Sequence, residues 1–329
     1  MISGEMVNHI QQDVMPQKAT YKVAGLYLEL VFPTMLKRAE ILPSFEPFLE
    51  EHGINEKCIC SIELTFQDVS VQNEDGKLLS DLSVVWGDNF RFYESEYCYT
   101  TTIWSEFDDG FWKMKSSKDF SHSVIYLVNR KEAINNALSW LVMVAFGQAC
   151  LLYDTILIHA SAISKSGEGY AFLGKSGTGK STHSRLWLEN IQGTQLLNDD
   201  NPAVRLENDG HVYIYGTPWS GKTSCYKNIK VRLQAFVRLK QSLYNRLTQK
   251  KGMAAFVCVL PSCTAIRWNN RLFTAMSNTV EHVLQRVMIA ELECLPDREA
   301  ALLCYREILK IDKQSLQNSG YQEVTGTKN

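Results

Sequence analysis

Short apolar runs separated by turn formers dominate the chain from residue 20 to about residue 128. The runs include YKVAGLYLELVF at 21–32, CICSIELTF at 58–66, LSVVWGDNFRFYE at 82–94 and HSVIYLV at 122–128. They are rich in β-branched and aromatic residues, and NEDG at 73–76 and DDG at 108–110 punctuate them. This texture predicts strands joined by turns, read as an antiparallel β-rich domain over 20–130. The aromatics Trp86, Phe90, Phe92 and Trp104 are expected to be core. A polar, flexible arm is expected over 1–19.

The pattern then changes. The stretch 137–153 is almost wholly apolar but carries Ser139 and Gln148. It is short for a membrane span and predicts a buried helix packed across the join between two domains. Beyond it, strand patterns alternate with helical ones. Strands are expected at 156–163, 169–174, 194–199, 202–206, 211–216, 231–239 and 292–295, and helices at 182–191, 270–288 and 298–309. This is an α/β domain over 131–310, with a loose polar tail over 311–329.

Composition narrows the class. The chain has 329 residues, 45% hydrophobic and 21% charged, as in a globular protein that buries a sizeable core. A net charge of −2 provides no basic field for nucleic acid. The nine cysteines include no CxxC pair, so they read as reduced thiols in a cytoplasmic protein rather than zinc ligands. The N-terminal residues lack a basic start followed by an apolar run, so no secretory signal is expected, and no membrane partner either.

The chemistry concentrates at 174–181. Gly174, Lys175, Ser176, Gly177, Thr178, Gly179, Lys180 and Ser181 fit G-x-x-x-x-G-K-[ST]. Phosphate oxygens need many donors at short range, and glycines let successive backbone N–H groups turn inward. The helix that follows, from Thr182, adds its N-terminal partial charge. Lys180 is expected to reach the β- and γ-phosphates, and the Ser181 hydroxyl to hold Mg²⁺. The strand YAFL before the loop and the helix after it supply the context the motif requires.

The pattern recurs at 216–223, GTPWSGKT, but Pro218 lacks an N–H and Trp219 is bulky where backbone must approach phosphate. This second loop is read as an acceptor-side loop, with Lys222 and nearby N–H groups suited to an anion. Between the loops, an apolar run ends in Asp199 and Asp200, whose like charges call for a cation or a raised pKa. A metal-bound carboxylate and a general base would meet that need. His159 precedes the first loop by one hairpin, which would return the chain beside it and place an imidazole near the phosphates.

HASAI at 159–163, the hairpin, GKSGTGKST at 174–182 and LLNDD at 196–200 together resemble the core shared by HPr kinase/phosphorylase, its relatives among bacterial serine kinases, and ATP-dependent phosphoenolpyruvate carboxykinase. The resemblance covers residues 150–225. It implies a P-loop kinase core behind an N-terminal β-rich domain. It implies that Gly174 to Thr182 bind ATP, that Asp199 is the base for an acceptor hydroxyl, that Asp200 is a metal-side partner, and that His159 assists at the acceptor. The segment that follows this core in HPr kinases, and the extra lobe of the carboxykinases, have no counterpart here. The expected activity is therefore ATP/Mg²⁺-dependent transfer of a phosphoryl group to a hydroxyl of a protein, peptide or metabolite. The alternatives are a nucleotide-binding regulatory protein without transfer, and a carboxykinase-type lyase. Oligomeric state is left open, with a homo-oligomer allowed.

Overall fold

A computed structural model describes residues 16–51, 56–66, 76–83, 85–105, 110–127, 134–221 and 223–324. Two large sheets dominate it. The first has eight strands: β1 (Gln17–Val23), β2 (Leu26–Phe32), β3 (Cys60–Phe66), β4 (Lys77–Ser80), β5 (Phe90–Glu94), β6 (Cys98–Ser105), β7 (Gly110–Ser117) and β8 (His122–Leu127). A short helix α1 (Arg38–Ile41) and a 3-10 turn Pro43–Phe48 lie between β2 and β3.

The spatial order is β1-β2-β3-β8-β7-β6-β5-β4. The sheet is mixed, which corrects the antiparallel expectation: β3 runs parallel to both β2 and β8. The cause is topological. Helix α1 and the 3-10 turn separate β2 from β3, and the β4–β7 meander intervenes before β8 returns beside β3. Such crossovers permit parallel pairing, whereas tight turns do not. Residues 17–19, expected to belong to a flexible arm, already pair with β2.

The apolar stretch after the first sheet is helix α2 (Ile134–Ala149), followed by a 3-10 turn Cys150–Tyr153. Leu138, Leu141, Val142, Ala145 and Phe146 are buried. One buried cluster contains these residues together with Ile62, Met114 and Ile125 of the first sheet and Leu157, Ala171 and Phe236 of the second. Helix α2 therefore packs across the join. No helix among the described residues is long and apolar enough to cross a membrane.

The second sheet has nine strands: β9 (Thr155–Leu157), β10 (Ala160–Lys165), β11 (Glu168–Leu173), β12 (Thr194–Asp200), β13 (Ala203–Leu206), β14 (Val212–Tyr215), β15 (Lys230–Gln241), β16 (Arg246–Lys250) and β17 (Met288–Cys294). Helices α3 (Lys180–Asn190), α4 (Gly252–Val259), α5 (Asn270–Leu284) and α6 (Arg298–Val324) complete it. The order β12-β10-β11-β15 places the strands of interest side by side, with β11 and β15 parallel. Period-two alternation splits each central strand between two buried faces. Tyr170 and Phe172 join Trp187 of α3 and Cys304 of α6, while Ala171 and Leu173 join the cluster around α2. That is why the run YAFL is apolar throughout.

Strand β16 and helix α4 were not foreseen, because the polar run at 246–250 hides an edge strand. Helix α5 ends at Leu284, and α6 continues as helix to Val324 through residues expected to be a loose tail.

Candidate functional site

The hairpin between β10 and β11 sets the site. Ser166 and Gly167 both adopt left-handed backbone, with φ of 52° and 83°. Two such residues make the tight turn whose twist matches the flanking strands. This turn fixes the register Lys165↔Glu168, which propagates to Ala160↔Leu173. On its other side Ala160 pairs with Asp200, and Ser161 with Asp199. Three strand ends therefore meet. His159 stands one residue before β10, Gly174 one residue after β11, and Asp199 and Asp200 close β12.

The loop 174–179 leads from β11 straight into α3, which starts at Lys180. Gly174 is buried, with φ of 157°; a Cβ there would lie 2.3 Å from the Thr178 hydroxyl. Thr178 Oγ1 in turn donates to the Lys175 carbonyl at 2.8 Å, bracing the loop. Gly177 and Gly179 have φ of 81° and 100°, and open space stands where a Cβ would be. Ser176 and Ser181 are exposed and Thr182 is half-buried. Lys180 Nζ folds back to the carbonyls of Gly174, at 3.0 Å, and Lys175, at 3.4 Å. The Ser161 and Ser184 hydroxyls, 2.6 Å apart, tie α3 to β10.

The ionisable groups share one field. Burial lowers the Lys180 pKa, against the opposing pull of Asp200 and Asp199, and Arg238 lowers it further. Burial also lowers the His159 pKa, assisted by Lys180 and opposed by Asp200. Burial raises the Asp200 pKa, which His159 and Lys180 pull down and Asp199 pushes up. His159 Nε2 lies 3.5 Å from Asp200 Oδ1. The other Asp200 oxygen accepts from Asn201 Nδ2 at 2.8 Å. Asp199 is buried; its Oδ1 has no hydrogen-bond partner among the described residues.

The second loop seats against these carboxylates and is followed by no helix; residues 224–229 are irregular before β15. Trp219 is buried against Phe45 and Phe146, and its Nε1 donates to the Ser139 carbonyl at 3.1 Å. The bulk of Trp219 is what anchors this loop in the core. Lys222 lies outside the described residues.

Two residues of the site were missed in the sequence. Asn198 is fully buried; its Nδ2 reaches Thr217 Oγ1 at 3.1 Å and the Trp219 carbonyl at 3.2 Å. Its Oδ1 accepts from the backbone N–H groups of Asp200 and Asn201, both at 3.0 Å. Asn198 thereby positions the carboxylates and the second loop together. Arg238 pairs in register with Leu173 and donates to the Cys258 carbonyl and Ser262 Oγ. The available signal was a polar residue inside an apolar strand, LLND and AFVRL respectively.

No family model matches the chain, and no curated protein matches it in sequence. Among solved structures, the chain is similar to the Hpr(Ser) kinase/phosphatase from Coxiella burnetii at 12% identity, over 52% of this chain and 99% of that one, with a TM-score of 0.33. That is a distant structural likeness.

Proposed function

We propose that this chain is an ATP- and Mg²⁺-dependent phosphotransferase that moves the γ-phosphoryl group to a hydroxyl, most simply a serine of a protein or peptide or the hydroxyl of a small metabolite. The observation that carries the reading is the convergence of Lys180, Asp199, Asp200 and His159 at three adjoining strand ends, beside the N-terminus of α3.

The residues suit the ligands assigned to them. Open space beside Gly177 and Gly179 leaves room for phosphate against backbone N–H groups, and α3 directs its positive end there. Burial lowers the Lys180 pKa while Asp200 and Asp199 pull it up, so a phosphate anion beside it would favour its charged form further. Asp200, with its raised pKa, gains from a cation; Ser181 and Asp200 are the residues that would hold Mg²⁺. Bound there, the metal would supply positive charge at the transferred group.

The chain's own groups account for the rest. Asp199 accepts the proton of the acceptor hydroxyl, whose oxygen bonds phosphorus as the bridging β–γ oxygen leaves with ADP. Lys180 stabilises charge on the transferred group. Asn198 braces the backbone that carries Asp200, and His159, a neutral imidazole favoured by burial, assists at the acceptor side.

The test is incubation of the full-length protein with γ-labelled ATP and Mg²⁺, with and without cell extract divided into protein and small-molecule fractions. Asp199→Asn and Lys180→Ala run alongside. Label entering one fraction with the wild type alone supports the reading and names the acceptor class. Nucleotide binding with no transfer to any fraction would replace it with a nucleotide-binding protein that lacks transfer.

A further inference from the structure

The hydroxyl that contacts Asp199 belongs to the chain itself. Thr223 Oγ1 donates to Asp199 Oδ2 at 2.9 Å. The surrounding backbone holds it there. The Gly221 N–H donates to the Asp199 carbonyl at 3.2 Å, the Asp199 N–H donates to Ser220 Oγ at 3.3 Å, and Asp200 and Ser220 form an isolated bridge. A Cβ on Gly221 would stand 3.0 Å from the Asp199 carbonyl, so any larger residue there would push the loop off Asp199 by a few tenths of an ångström. The neighbouring hydroxyls are committed elsewhere. Thr217 Oγ1 is buried and donates to the Asn201 carbonyl, and Ser220 Oγ donates to the Thr223 carbonyl. Thr223 alone of these three directs its proton at a carboxylate, and it is exposed.

This inference rests on Asp199 being the acceptor-side base. We infer that Thr223 is an internal acceptor, so that the chain transfers a phosphoryl group from a nucleoside triphosphate to its own Thr223 Oγ1. In that step the Thr223 oxygen bonds the γ-phosphorus, the bond from that phosphorus to the bridging β–γ oxygen breaks, and the nucleoside diphosphate leaves. The hydroxyl proton passes to Asp199 along the existing hydrogen bond. No oxidant or further reactant is needed.

The experiment uses the full-length protein, treated first with a phosphatase and then freed of it. The protein is incubated with ATP and Mg²⁺ and no other acceptor, and its peptides are mapped by mass spectrometry. The expected result is one phosphoryl group on Thr223, gained at a first-order rate that does not change on dilution. Thr223→Ser is modified at the same position, Thr223→Ala is not, and Asp199→Asn slows the gain by ~10²-fold or more. An unmodified Thr223 in this incubation, with label passing to an acceptor when cell extract and γ-labelled ATP are added to the same sample, overturns the inference and leaves the phosphotransferase reading intact. A rate that rises with protein concentration overturns transfer within one chain. Absence of nucleotide binding, measured by calorimetry on the same sample, ends both.

Discussion

His159 Nε2 and Asp200 Oδ1 lie 3.5 Å apart across the β10–β12 pair, and burial displaces their pKa values in opposite directions, the imidazole downward and the carboxyl upward. Each partner favours the charged form of the other, yet desolvation outweighs that attraction for both. A carboxylate with a raised pKa is a cost to the fold at neutral pH, and that cost grows as pH rises through its folded value. Asp200→Asn is therefore expected to raise the melting temperature of the nucleotide-free protein at pH 7 while abolishing the proposed Mg²⁺-dependent transfer. Thermal unfolding and the labelled-ATP assay, run on the same preparation, check the two halves together.

Lys180 offers a sharper test of the proposed phosphate loop. Its ammonium caps the carbonyls of Gly174 and Lys175 in this structure and is half-buried. Lys180→Ala is expected to lower the transfer rate by ~10³-fold, the scale of losing one positioned electrostatic group. Because it also removes a half-buried cation, the fold should not be weakened in proportion. A variant with unchanged transfer would contradict the assigned role.

Asn198 is expected to matter for both stability and rate. Asn198→Ala removes the acceptor shared by the N–H groups of Asp200 and Asn201, leaving Asn201 its longer bond to the Trp219 carbonyl at 3.3 Å, and removes the donor to Thr217 and Trp219. Unsatisfied buried polar groups cost about 1–3 kcal/mol each, so a loss of at least that size is expected in urea unfolding. Asn198→Asp retains the acceptor but loses the donor. It should leave the second loop less protected from proteolysis than in the wild type.

Trp219 separates packing from hydrogen bonding. Trp219→Ala opens a cavity between Phe45 and Phe146 and should cost about 3–5 kcal/mol. Trp219→Phe fills most of that space and loses the bond to the Ser139 carbonyl, for a cost of about 1 kcal/mol. Equal costs for the two variants, measured by denaturant unfolding, would show that ring volume is not what seats the loop.

His183 predicts a pH dependence distant from the carboxylates. It is buried on α3, its Nε2 accepts from Trp187 Nε1 at 3.1 Å, and burial pushes its pKa down to about 4. The unfolded chain binds this proton near pH 6.5, so the folded state binds fewer protons between the two values. Stability is thus fully present above about pH 6.5 and declines as pH falls toward about 4, by roughly 3 kcal/mol from this one group. His183→Gln, which can still accept from Trp187, should flatten that part of the profile in denaturant titrations.

Much of the candidate site's geometry was legible because its parts are local. The loop needs glycines at set positions next to a lysine, and the Ser166–Gly167 turn fixes a hairpin register from two residues. The register then carries His159 to the loop and to Asp200, as the hairpin suggested. What the sequence could not disclose depended on distant packing. The parallel placement of β3, the edge strand β16 and the extension of α6 are decided by neighbours far along the chain. So is the seating of the second loop, because Trp219 is held by Phe45 and Ser139, residues that no local pattern links to it.

The sequence by itself determined the strand–loop–helix of 169–190 and the acidic end of β12, since backbone propensity and short-range spacing suffice for both. Only the tertiary structure decided that Thr223 lies on Asp199 and that Asn198 joins the acidic end of β12 to the second loop. Those contacts join segments up to 24 residues apart, and they form only when buried polar groups must find partners in the folded core.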